Sequence, residues 1–292
     1  MLQNNQPEFT GIYTLLGFEH TRNIKETDAV FYGVPSELET DCRPGCRLGP
    51  GAIRQYSSCK PYHEELDFDM LDGFRAVDYG DLSVTGCNAR DAIEQIRGQL
   101  LEILRETRGV TIGVGGDHRI ALGELDALKE KFGEIAIVIF SSRTDLWADC
   151  YPAGRHCIQL GMRGGWESDH VLSEAIACGT EMIEAGWLHD TGIEETAARV
   201  RAAVGSMPVF VSFDMGFLDP AFAPGAGSPA VGGFSVAEAL KLIRLSLVGL
   251  NIAGMDLTGL SPLYDPAGSA CVAAQAVLRE FAAVVSYNRS VM

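Results

Sequence analysis

No stretch of this chain approaches the roughly 20 consecutive apolar residues that a membrane-crossing helix requires. The opening Met1-Leu2-Gln3-Asn4-Asn5-Gln6 also lacks a charged segment followed by an apolar one, so a secretory leader is not expected and a cytoplasmic location is. Basic residues are scarce: 23 Lys and Arg stand against 39 Asp and Glu, a net charge of −16, and no basic run offsets it locally. That sign repels nucleic acid and anionic membrane and suits a cationic small molecule or a basic partner face. Framework spacing is missing among the eight cysteines (42, 46, 59, 87, 150, 157, 178 and 271), so most are expected as reduced core thiols. Cys42 and Cys46 flank Arg43-Pro44-Gly45, but no second pair completes four zinc ligands. Gly225-Ala226-Gly227-Ser228-Pro229 and Gly232-Gly233 lack the Lys-Ser/Thr of a phosphate cradle and read as a shaped loop. Internal repeats, low-complexity segments and linkers are absent as well.

What the chain does have is a length of 292 residues, 47% hydrophobic composition and an alternating rhythm. Apolar runs over 29–34, 76–81, 109–114, 135–140, 156–162, 181–187, 207–213 and 251–257 read as strands, most of them separated by helical periodicity. The clearest helix covers 88–106, with Ile93, Ile96, Leu100, Leu101 and Leu104 on one face, and Pro50 marks the start of another that carries Ile53 and Arg54. Such alternation is the mark of parallel βαβ units. Residues 1–27 show no clean period and read as an N-terminal arm covering either its own surface or a neighbour's. Residues 28–292 read as one domain.

Three strand ends carry the chemistry, because open α/β sheets place their sites at the carboxyl edge. They are Gly115-Gly116-Asp117-His118, Ser141-Ser142-Arg143-Thr144-Asp145 and Ser212-Phe213-Asp214-Met215-Gly216, with Asp219-Pro220 beyond. Together with Gly33-Val34-Pro35, Arg43-Pro44-Gly45, Gly49-Pro50, Ile53-Arg54, Gly232-Gly233, Asp256 and Pro262, these resemble the ureohydrolase family of arginase, agmatinase and guanidinobutyrase. The resemblance implies a three-layer α/β/α domain around a mainly parallel eight-stranded sheet, assembled into trimers or hexamers. It also implies a pair of divalent ions, manganese or nickel, whose bridging hydroxide attacks a guanidinium carbon. Carboxylates and imidazole suit such ions.

Carried over residue by residue, His118, Asp145 and Asp214 match family ligands. Ser141 stands where the family has a bridging Asp, Arg143 where it has His, and Gly216 where it has a second Asp. Gly259 stands where the family has the Glu that grips the substrate guanidinium. The segment after Asp145 is shorter than the family's, and His156, the one nearby histidine, opens an apolar strand and reads as structural. A permanently charged Arg143 repels a dication and is expected to pair with Asp145 or Asp214. His118 reads either as a strand-end histidine satisfied by Asp117 or Asp214, or as a ligand of a single weak metal. Asp78 and Asp81 read as loop caps, and Glu194-Glu195 as a solvated helix start.

The departures imply vestigial metal positions at His118, Asp145 and Asp214, no catalytic residue, and no cofactor in this chain. Two nickel or manganese ions are expected instead in a homologous, active partner subunit. The chain is similar to the metal-poor subunits of bacterial metformin hydrolases, so the expected role is that of an inactive subunit in a hetero-oligomer acting on a guanidino or biguanide compound. Two alternatives remain open: a mononuclear amidino hydrolase in its own right, and a binding protein for a small cation.

Overall fold

The computed structural model describes residues 11–37, 42–58, 60–85, 88–143, 156–164 and 179–291. Nine strands form one sheet, β1 (Glu19–His20), β2 (Ala29–Val34), β5 (Ala76–Asp81), β6 (Val110–Gly115), β7 (Ala136–Phe140), β8 (Cys157–Met162), β9 (Thr180–Glu184), β10 (Val209–Asp214) and β11 (Ile252–Thr258). Their spatial order is β1-β5-β2-β6-β11-β10-β7-β8-β9, with every pairing in this sheet parallel. A separate two-stranded hairpin pairs β3 (Tyr62–His63) with β4 (Phe68–Asp69).

The helices divide into two layers. On one face, α2 (Ala89–Glu106) and α3 (Ile120–Phe132) bury Ile96, Leu100, Leu125 and Leu128 against Val30, Ile137, Ile139 and Phe210. On the other face lie α1 (Gly49–Tyr56), α4 (Ala185–Thr191), α5 (Ile193–Val204), α6 (Val236–Leu247) and α7 (Ser269–Val291), packed over Phe31, Ile112, Val138, Val211 and Leu257. The strands read as continuous apolar runs because both faces are covered. Helix α7 is apolar and long enough to pass for a membrane span, yet 72% of that window is buried inside the molecule, as a core helix is.

The expected α/β/α sandwich is present, with nine strands rather than eight. The ninth is β1, two exposed residues in the segment read as an arm, hydrogen-bonded at the sheet edge beside β5. Leu15, Leu16, Phe18 and Ile24 of that segment are buried in this chain's own core, and the Leu15 amide donates to Asp78 Oδ2 at 2.8 Å. Asp78 also receives Arg54 at 2.8 and 3.0 Å and the Gly80 amide at 2.9 Å, so it fastens the segment as well as capping its own turn. The strand expected over 181–187 ends at Glu184, and a helix begins at Ala185. Helix α2 begins after Asn88, whose side chain accepts from the Asp91 amide, a cap of the usual kind. Glu194 lies in the first turn of α5 and pairs with the exposed Lys241.

Candidate active site at the carboxyl edge of the sheet

Strand order brings the three tips together, because β6, β11, β10 and β7 are consecutive neighbours. The end of β11, Thr258-Gly259, lies between the β6 and β10 tips and makes a fourth. Backbone bonds lock these ends: Gly259 N donates to Gly116 O at 2.9 Å, Gly227 N to Gly259 O at 2.8 Å, and Asp117 N to Ser36 O at 3.1 Å. Gly116 is required here, since a Cβ would come within 2.8 Å of the Ser36 carbonyl carbon. Beneath the β10 tip, Phe217 stacks on Phe234 at 4.5 Å and meets Phe140 edge-on at 5.4 Å. These aromatic contacts fix the turn that follows Asp214.

His118 contacts Ser212 Oγ through Nε2 at 2.7 Å, and Ser212 donates onward to Asp256 Oδ1 at 2.6 Å. Because the serine proton goes to Asp256, Nε2 is the donor to Ser212, and Nδ1 is the nitrogen through which His118 would ligate. Register explains the alignment: Tyr32, Gly113, Asp256 and Ser212 are consecutive partners across β2, β6, β11 and β10. Over Gly113 comes Glu124 of α3, which accepts from the Tyr32 hydroxyl at 2.5 Å. A Cβ at Gly113 would collide with Glu124 Oε1 and lie 3.1 Å from the Tyr32 hydroxyl.

Glu124 and Asp256 are both fully inaccessible. Glu124 Oε2 and Asp256 Oδ2 are the oxygens that lack a hydrogen-bond donor. One proton between the two carboxyls satisfies both. Burial, and then the Asp256 charge, push the Glu124 carboxyl well above the ordinary range, and burial raises Asp256 as well. Sequence reading did not find Glu124, although a glycine inside the apolar run of β6 was the available signal of a close approach there.

At the tips the arrangement differs. Asp214 Oδ1 accepts the Gly216 amide at 2.6 Å, and its carboxylate lies between two glycines. A Cβ at Gly216 would come within 2.5 Å of Oδ1, and one at Gly259, where φ is +76°, within 2.9 Å of Asp214 Cγ. Asp214 therefore fills the space that side chains at both positions would claim. Ser141 and Ser142 are buried; Ser141 Oγ accepts the Arg143 amide at 3.3 Å, and Arg143 donates from its NH1 nitrogen to Ser228 Oγ at 3.0 Å. Its expected pairing with Asp145 falls outside the described residues. Cys46 is buried nearby, and burial followed by the charges of Asp214, Glu37 and Asp117 pushes its thiol up to about 12. Arg163 ties the loop above the site together, with hydrogen bonds to the carbonyls of Gly161, Gly216, Leu218 and Ala230 at 2.7 to 3.2 Å. His156 contacts the Ala203 carbonyl at 3.1 Å, in keeping with a structural role.

Among the described residues no group of three or more His, Cys, Asp or Glu side chains could hold a metal ion. Among the described residues, Ser141, Arg143 and Gly216 supply a hydroxyl, a fixed cation and no side chain at the converging tips. His118 and Asp214 are placed on neighbouring tips, and the third matching position, Asp145, lies outside the described residues. The described residues do not fit a two-metal centre.

Comparison with known proteins agrees with this architecture. Residues 27–283 match the model of the arginase family. The chain belongs to the arginase family. An agmatinase of Enterobacter sp. (strain 638) is 34% identical over 238 residues, 75% of each chain. Among solved structures, proclavaminate amidino hydrolase from Streptomyces clavuligerus superposes with a TM-score of 0.90 at 29% identity, covering 97% of this chain and all of that one. A structure titled as a hypothetical agmatinase from Burkholderia thailandensis gives 0.88 at 29% identity, covering 100% and 98%.

Proposed function

We propose that this arginase-family chain is a metal-site-degenerate subunit, without turnover of its own, that stabilises or regulates a homologous active subunit. In this reading two nickel or manganese ions reside in that partner, and the complex, a trimer or hexamer, hydrolyses a guanidino or biguanide compound such as metformin. The observation that carries it is the seating of Asp214 between Gly216 and Gly259. Asp214 occupies the space that a second carboxylate at Gly216 and an anchor at Gly259 would claim, so the three positions form a mutually fitted set rather than scattered losses. Arg143 adds a cation that opposes dication binding. The relatives named agmatinase and amidino hydrolase support the chemistry of the partner's substrate.

One observation favours the reading of a mononuclear amidino hydrolase: Ser212 and Asp256 still hold His118 in an orientation suited to ligation. The discriminating experiment is purification of the chain alone and after co-expression with a family member whose metal tip is intact. The proposal expects co-purification, with urea or amine release only from the mixed complex. Turnover by this chain alone, abolished by Asp214→Ala, contradicts it.

A further inference from the structure

Away from the sheet edge, a cavity of about 570 Å³ opens between the β3–β4 hairpin and the outer sides of α6 and α7. Its size falls within the ordinary range for small-molecule sites. A buried polar chain forms one wall: His63 Nε2 lies 3.1 Å from Glu280 Oε2, and Glu280 Oε1 receives Arg244 at 2.6 Å. The Leu66 amide donates to His63 Nδ1 at 3.2 Å, which leaves the His63 proton on Nε2, directed at Glu280. Arg244 is thereby fixed through one nitrogen. Its NH2 nitrogen has only a 3.9 Å contact with Glu65, a side chain 71% exposed, too long for a hydrogen bond and weakly held.

Two more cations stand at the rim. Arg279 donates through Nε and one terminal nitrogen to the carbonyls of Lys60 and Tyr62 at 3.0 and 2.6 Å, which fixes its guanidinium and leaves NH1 uncommitted. The exposed Lys60 ammonium makes no hydrogen bond or ion pair among the described residues. Between the Arg244 wall and this rim run Ala237, Leu240 and Ala276, a short apolar strip on two facing helices. The lining sets three cations, Lys60, Arg244 and Arg279, against three carboxylates, Glu64, Glu65 and Glu280; Glu280 is committed to His63 and Arg244, while all three cations keep donors to spare.

We infer that this cavity binds a small aliphatic dicarboxylate, one carboxylate taking the place of Glu65 at Arg244 and the other lying against Lys60 and Arg279. The aliphatic middle covers the apolar strip. Fixed guanidinium groups suit carboxylates because their donors are already oriented. Such a site is independent of the sheet-edge chemistry and of the proposed subunit role.

Isothermal titration of the purified chain with glutarate, against sodium chloride at matched ionic strength, tests this. Saturable binding of one glutarate per chain is expected, with a dissociation constant of about 1 mM or lower. Lys60→Gln, which changes an exposed side chain and leaves the carbonyl that Arg279 uses in place, is expected to weaken it about tenfold. Glu65→Gln removes a competing carboxylate and is expected to tighten it about threefold. Arg279→Gln also weakens binding; because it touches the hairpin backbone, its unfolding midpoint is measured alongside. Arg143→Ala is expected to leave binding unchanged. Absence of saturation, indifference to Lys60→Gln, weakening by Glu65→Gln, or loss on Arg143→Ala, which would move the anion to the sheet edge, each overturns the assignment.

Discussion

Below the strand ends a polar row runs unbroken from Tyr32 through Glu124, Asp256 and Ser212 to His118, whereas at the ends themselves the converging positions hold serine, arginine and glycine. From Tyr32 to Ser212 the row is buried, with His118 half-buried at its end, and each member satisfies a neighbour, so removing one strands another in a dry interior. Tip residues adjoin loops, and there Asp214 lies over two glycines that leave room for its carboxylate. A group in the row is costly to leave unpaired, whereas a side chain at a tip can be exchanged at little cost to the strands beneath. This contrast supports reading the tips as a statement about function and the row as one about stability.

The contrast breaks if substitutions in the row prove harmless. Gly113→Ala forces a methyl group against Glu124 and the Tyr32 hydroxyl and is expected to cost about 3 kcal/mol in urea unfolding. A pH series sharpens it. With the Glu124 carboxyl raised by burial and the Asp256 charge, the folded chain holds a proton that the unfolded chain releases above about pH 4.3. The unfolded state therefore binds fewer protons, and this pair makes stability fall as pH rises from there, by up to about 1.4 kcal/mol per unit, until the folded carboxyl itself ionises. Glu124→Gln keeps an acceptor for Tyr32 and supplies a fixed donor to Asp256. Its unfolding free energy is expected to decline less steeply over that window and to exceed that of the parent at neutral pH; an unchanged slope contradicts the shared proton.

Smaller effects are expected at the tips. Gly259→Ala carries the cost of a positive φ together with displacement of Asp214, about 2 kcal/mol, and combining it with Asp214→Ala is expected to recover about 1 kcal/mol through the coupling. Simple additivity would mean that the two positions are not fitted to each other.

Much of this was legible in the sequence where one physical signal dominates. Apolar runs gave the eight longer strands, and the polar clusters ending them located the site, since period and sheet-edge logic depend on local pattern. Strand β1 was not legible: two exposed residues have no period, and their strand character comes from β5. The end of β9 was misplaced because Ala185-Gly186-Trp187 continues an apolar run while the backbone turns into helix. Glu124 passed unnoticed because a glutamate on a helix ordinarily faces water, and only packing over Gly113 turns it inward. The hollow around Arg244 joins a hairpin to two helices far apart in the chain, a juxtaposition that no local pattern encodes.

The proposed role requires strand ends that assemble no working metal centre. The direct measurement is the metal content of the chain purified alone, loaded with excess manganese or nickel, desalted, and analysed by plasma mass spectrometry. The account predicts far less than one ion per chain, unchanged by Asp214→Ala. One or two ions per chain, lost in that variant, would contradict it.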